Sequence, residues 1–156
     1  MPVTADIADQ TASLPQETLA LMHDVVASIG SIIFGEGAYD VTVMLVTDAE
    51  IGALHDRWFN DPAPTDVITF PSHGDDDEPD PHDPHLGDIV LSVDTARVAA
   101  AEVGWPIARD VAFVLVHGML HLAGWDDATD AERNAMLAEG ERLLQQFEQT
   151  SGTTWS

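Results

Sequence analysis

Two histidines four residues apart, His117 and His121, lie in the apolar run VLVHGMLHLAGWDD, residues 114–127. On a helix that spacing puts both imidazoles on one face, one turn apart. Gly124 offers a sharp exit from the helix, and the acidic pair Asp126–Asp127 follows at once. Two imidazoles and a carboxylate delivered by a tight turn make three ligands for a divalent metal, with a fourth position left for water. Leu115, Met119 and Leu122 surround the imidazoles with apolar bulk, so the rings need a polar partner, and a metal serves both. A lone helical histidine is more often a packing or surface residue; a second one turn on, with a carboxylate after it, reverses that expectation.

Zinc, one ion per chain, is the simplest occupant of such a set. It would lower the pKa of its water to about 7 and polarise a carbonyl or phosphoryl oxygen. Two histidines and a carboxylate also describe non-haem iron(II) oxygenases, although those sites typically sit on β scaffolds. The zinc peptidase pattern H-E-x-x-H needs a glutamate directly after the first histidine, where this chain has Gly118.

Composition narrows the chemistry further. There is no cysteine, which excludes disulfides and thiolate metal sites and leaves histidine and carboxylate as ligands. A length of 156 residues with 45% hydrophobic content suits one domain, expected over residues 1–148, with 149–156 a frayed tail in which Trp155 alone can pack. The opening MPVTADIADQ lacks the basic and apolar regions of a signal peptide. No apolar run approaches the roughly 20 residues that cross a bilayer. A soluble, cytoplasmic chain with no membrane partner is the expectation. Twenty-eight acids face five arginines and no lysine, a formal charge of −23. Such a surface repels nucleic acid at low salt, the opposite of a basic nucleic-acid footprint. It fits a solubility effect, adaptation to high internal salt, or a basic partner.

The elements that must position the motif can be read from periodicity. Val3, Ala5 and Ile7 alternate as a short strand, and Pro15 opens a helix to about Phe34 with Leu19, Met22, Val26, Ile29 and Ile33 facing the core. Val41–Val46 is apolar on both faces and β-branched, as a central strand should be. Thr47 and Glu50 form a capping-box pattern for a second helix, with Ile51, Leu54 and Trp58 on its apolar side. Thr65–Phe70 and Gly87–Val93 read as strands flanking a polar, proline-punctuated acidic loop, residues 72–85. A third helix spans Asp94 to about Val103, the histidine helix runs from Pro106 to Leu122, and Thr129 and Glu132 cap a last helix to about Phe147.

Three blocks in this order resemble one family. HGMLHLAGWDD is similar to the signature HGxLHLxGYDH of the YbeY endoribonucleases, APTDVITFP (residues 63–71) to their PTDVLSFP, and LGDIVLSVDTARVAA (residues 86–100) to their GDIVIS segment. The resemblance runs from about Val41 to Leu144. It implies an α/β (α+β) fold with a small mixed four-stranded sheet packed by about five helices, a zincin-like metal-dependent hydrolase architecture. It also implies a zinc-dependent, single-strand-specific endoribonuclease in maturation of the 3′ end of small-subunit (16S) rRNA and in ribosome quality control. The implied partners are rRNA precursors, the small ribosomal subunit and its basic proteins.

Carried over by position, the ligands are His117, His121 and Asp127, the last standing where the family has a third histidine. Asp126 is a turn former or a rival third ligand. His55 and Phe59 stand where the family carries an asparagine and an arginine. Arg57 is about 200° away from Phe59 around a helix and does not replace that arginine. Asp66 is the candidate carboxylate for orienting substrate or water, against a plain turn role. Arg97 is the candidate for approaching substrate. His73, His82 and His85 read as solvated loop residues rather than a second metal site. The missing arginine and the −23 charge motivate an alternative: a ribosome-associated assembly factor with a mainly structural metal and weak or lost nuclease activity. A third reading is a hydrolase of small substrates using the same metal.

Overall fold

The computed structural model describes residues 2–35, 37–63, 65–72 and 84–155. Along them run β1 (Thr4–Asp9), α1 (Gln16–Phe34), β2 (Asp40–Val46), α2 (Asp48–Phe59), β3 (Val67–Pro71), β4 (His85–Ser92), α3 (Val93–Val103), α4 (Ile107–Leu122) and α5 (Asp130–Ser151). The strands form one sheet in the order β1-β2-β4-β3. β1 and β4 both run parallel to β2, and β3 runs antiparallel to β4. The expected mixed four-stranded sheet with five helices is therefore the observed fold.

β2 and β4 are apolar on both faces because helices cover both sides of the sheet. Val43, Leu45, Ile89 and Leu91 point into the main core with Met22, Val26 and Ile29 of α1 and Leu115 and Met119 of α4. Val46, Ile68 and Val90 point the other way, onto Ile51 of α2. Helix α4 lies at the centre, packed on α1, α3, α5, β3 and β4. The helix carrying the histidine pair is thus held from several directions.

The helix starts follow local chemistry. Thr47, Ser92 and Thr129 each accept a hydrogen bond from the backbone N–H three residues on, at 3.2, 3.1 and 3.1 Å. Such caps satisfy amides that a helix start leaves free. Two expectations need correction. Residues 149–151 do not fray: α5 continues to Ser151 and ends at Gly152 in the left-handed conformation. Trp155 then folds back, 8% exposed, against Phe147 and donates to Glu148 at 2.8 Å. A long apolar run also exists, since the 19-residue α1 has a mean hydropathy of 1.4 over 18 residues and passes for a membrane span by length and composition. Its Met22, Val25, Val26 and Ile29 are fully buried in the core.

Candidate metal centre and its flanking clefts

The position of the histidines is set by how closely α4 approaches the sheet. Gly118 sits between them, and a Cβ there would come within 2.9 Å of Ile89 Cγ2 and 3.4 Å of Val67 Cγ2. The missing side chain lets α4 rest directly on β4 and β3, so the position that lacks the peptidase glutamate has a packing reason for being glycine. His117 and His121 emerge from this helix with side chains 13% and 23% exposed. Their ring centroids are 4.8 Å apart and nearly perpendicular, at 86°.

The chain then turns back on itself. Gly124 adopts φ 99° and donates to His121 O, while Trp125 donates to Leu120 O, both at 3.0 Å. A positive φ there is cheap for glycine alone. Asp126 Oδ1 accepts from the backbone N–H of Asp127 at 2.8 Å and of Ala128 at 3.2 Å. It is the turn former, which leaves the neighbouring carboxylate free. Asp127 Oδ2 stands 3.3 Å from His121 Nε2 and 3.8 Å from His117 Nε2. One ligand atom from each residue lies within 4.8 Å of the others. Ligands at about 2.0–2.1 Å from a tetrahedral ion stand about 3.4 Å apart, so the donor set fits a divalent metal. Burial, reinforced by His121, holds the His117 imidazole below its ordinary pKa, favouring the neutral form a metal needs.

Two clefts open on either side of this cluster. One, of about 400 Å³, lies on the His117 side and is lined by Asp66, Thr95, Arg133 and Asp127 among others. The other, of about 560 Å³, lies on the His121 side, lined by His55, Phe59, Trp125 and residues of β3. Two turns before His117 on α4 sits Asp110, 5% exposed, whose Oδ1 has no hydrogen-bond partner among the described residues. Burial and the charge of Asp66 push its carboxyl up to about 6, Arg109 partly opposing them.

Of the residues singled out in the sequence, His117, His121, Asp127 and Asp66 come together. Arg97 does not: its guanidinium donates to Ser13 O and Oγ at 3.3 and 3.1 Å, on the β1–α1 loop. Arg57 stands over the Trp58 ring and lines neither cleft. His85 is not a solvated loop residue but the first of β4, bonded to Asp40 at 2.6 Å and Asp88 at 3.0 Å. His73 and His82 lie outside the described residues. Arg133 was missed. It sits in the first turn of α5, four residues beyond the Thr129 cap, and only folding brings that turn alongside His117. Trp125, inside the motif itself, carries no sequence signal that separates it from a packing residue.

Known proteins resemble this chain in sequence and fold. The sequence profile of the endoribonuclease YbeY family matches residues 5–148. An endoribonuclease YbeY of Exiguobacterium sp. is 34% identical over 92% of this chain and 95% of its own length. One from Bacillus licheniformis is 34% identical over 94% of this chain and 96% of its own. A solution structure of a Thermotoga maritima protein shares the fold, with a TM-score of 0.63 and 23% identity over 95% of this chain and 90% of that one. A profile match over nearly the whole length, with curated relatives aligned end to end, places the sequence without ambiguity: the chain belongs to the endoribonuclease YbeY family.

Proposed function

We propose that this endoribonuclease is zinc-dependent and cleaves single-stranded segments of rRNA precursors, near the 3′ end of the small-subunit rRNA, in the cytoplasm. The observation that carries the reading is the convergence of His117 Nε2, His121 Nε2 and Asp127 Oδ2 at the junction of two open clefts. His117, His121 and Asp127 would hold the ion. When bound, it would supply Lewis-acid polarisation of a phosphoryl oxygen and a more acidic water.

The rest is done by the chain. Arg133 reaches the cleft beside His117 and can donate to a phosphate oxygen, offsetting charge that builds during displacement. Asp66, in the same cleft, is placed to orient the attacking water and accept its proton on a carboxylate oxygen. Among the described residues, Arg109 and Arg142 are in ion pairs with glutamates and Arg97 is bonded to Ser13, so Arg133 is the arginine available to substrate at this centre. Its presence favours an active nuclease over a purely structural metal, since Phe59 alone leaves the His121 side without a cation. The −23 charge suits docking on basic ribosomal proteins rather than on bare RNA.

The test is cleavage of a labelled single-stranded RNA and its duplex form by the zinc-loaded chain, with and without chelator. Cleavage of the single strand that chelator abolishes supports the reading. Chelator-insensitive cleavage contradicts it, and co-purification with small subunits without any cleavage favours the assembly-factor role.

A further inference from the structure

The cleft on the His121 side carries aromatic surface that holding a bare phosphodiester does not require. Phe59, 55% exposed, and His55 line it from the end of α2, and Trp125, 38% exposed, lines it from the α4–α5 turn. Scattered exposed aromatics are ordinary on protein surfaces. These three are not scattered: they share one cleft of about 560 Å³ with His121 and Asp127 of the cluster. Two of them are also held in place. The His55 and Phe59 ring centroids are 5.2 Å apart, and His55 Nδ1 is 2.9 Å from Asp61 O. Asn60, in the left-handed conformation, ends α2 directly after Phe59 and donates to Asp56 O.

We propose that Phe59, His55 and Trp125 form a stacking subsite for an unpaired base of the RNA strand, next to the phosphodiester held at the His117–His121–Asp127 cluster. The identity of the ligand rests on the endoribonuclease reading above; the site itself rests on the rings. Stacking answers the difficulty posed by the charge. With 28 acids, five arginines and no lysine, this chain has little with which to grip a phosphate backbone. Base–aromatic contact needs no cation, tolerates any base because every base has a π-face, and is denied to a base already stacked within a duplex. The subsite therefore supplies affinity and a preference for single strands together. It also predicts a shallow salt dependence, because few phosphate counterions are released: log affinity should fall by less than about one unit per decade of salt.

The experiment measures anisotropy of a fluorescein-labelled, phosphorothioate-linked oligoadenylate decamer on the zinc-loaded full chain. The comparison probe is the same backbone with abasic residues. Phe59→Ala should weaken adenylate binding about tenfold, Phe59→Tyr should stay within about twofold, and the abasic strand should bind the parent protein as weakly as adenylate binds Phe59→Ala. Because Phe59 is exposed, its removal leaves the core intact, and the abasic probe changes no protein residue at all. Equal binding of abasic and adenylate strands, or Phe59→Ala and Trp125→Ala binding adenylate like the parent, would overturn the subsite. Ring-dependent binding by a protein that cleaves no RNA supports the subsite and counts against the nuclease reading alone. Cleavage with ring-independent binding does the reverse.

Discussion

Asp110 lies seven residues before His117 on α4, close to the same helical face, buried and with one oxygen unpartnered. Burial and Asp66 raise its carboxyl from 3.8 to about 6. A carboxyl that holds its proton more tightly when folded stabilises the fold at low pH, and that contribution is lost as pH rises from 3.8 through about 6. Asp110→Asn should accordingly melt at a higher temperature than the parent at pH 8, and the advantage should vanish near pH 4; a gap independent of pH would contradict the assignment. The convergence of His117, His121 and Asp127 was legible in the sequence because an i, i+4 pair and the turn after it are local properties of the chain. So was the turn role weighed for Asp126. Arg97, Arg133 and His85 were misread or missed because their partners lie far away in sequence. Arg97 meets Ser13, Arg133 meets the His117 cleft and His85 meets Asp40 across the β2–β4 pairing.

Helix α4 positions the site, and two contacts decide where it sits. The first is the glycine contact with β4. Gly118→Ala gains helix propensity of about 1 kcal/mol, but places a methyl 2.9 Å from a fully buried isoleucine, and overpacking of that kind costs about 1–3 kcal/mol. A net loss of about 1 kcal/mol in urea unfolding is expected, together with weaker zinc binding as the histidines shift; unchanged stability and affinity would show that α4 can slide freely. The second is Arg109, which stacks on Trp105 at 4.2 Å and reaches Glu141 at 2.7 Å and Glu148 at 2.9 Å, tying α4 to α5. Arg109 first, and then Trp155, hold the Glu148 carboxyl below its ordinary 4.5. Stability from this link is thus full above 4.5 and lost as pH falls through the lowered value. Glu148→Gln should be less stable than the parent at pH 7, with the difference closing below pH 4, as thermal melts across that range would show. At this scale the caps, periodic helices and two-faced strands were readable, being set by residues within a turn or two. The antiparallel placing of β3 and the end of α5 were not, because they depend on what each segment finds across the fold.

Over the molecule as a whole, charge is the property that packing does not explain. A net −23 on 156 residues opposes compactness through self-repulsion, which salt relieves as the Debye length shrinks from about 10 Å at 0.1 M to about 3 Å at 1 M. The melting temperature should climb across that range of sodium chloride, and a fall would remove self-repulsion as a significant term. The same excess of acids would make an ion held at the cluster matter more, since little else offers positive charge to an RNA strand. Family could be read from the sequence because three motif blocks stand in the order the family has, and the mixed sheet followed from that resemblance; the order of elements fits such a sheet but does not fix it. The two clefts could not be read there, since each is built from at least three separated segments. The proposed chemistry depends on a metal held by His117, His121 and Asp127, and calorimetry of zinc binding to the chelator-stripped chain tests that dependence at its source. The parent should show one tight zinc site per chain that is lost in both His117→Ala and His121→Ala while each variant keeps its melting temperature without metal. A tight site retained in either variant would contradict the account.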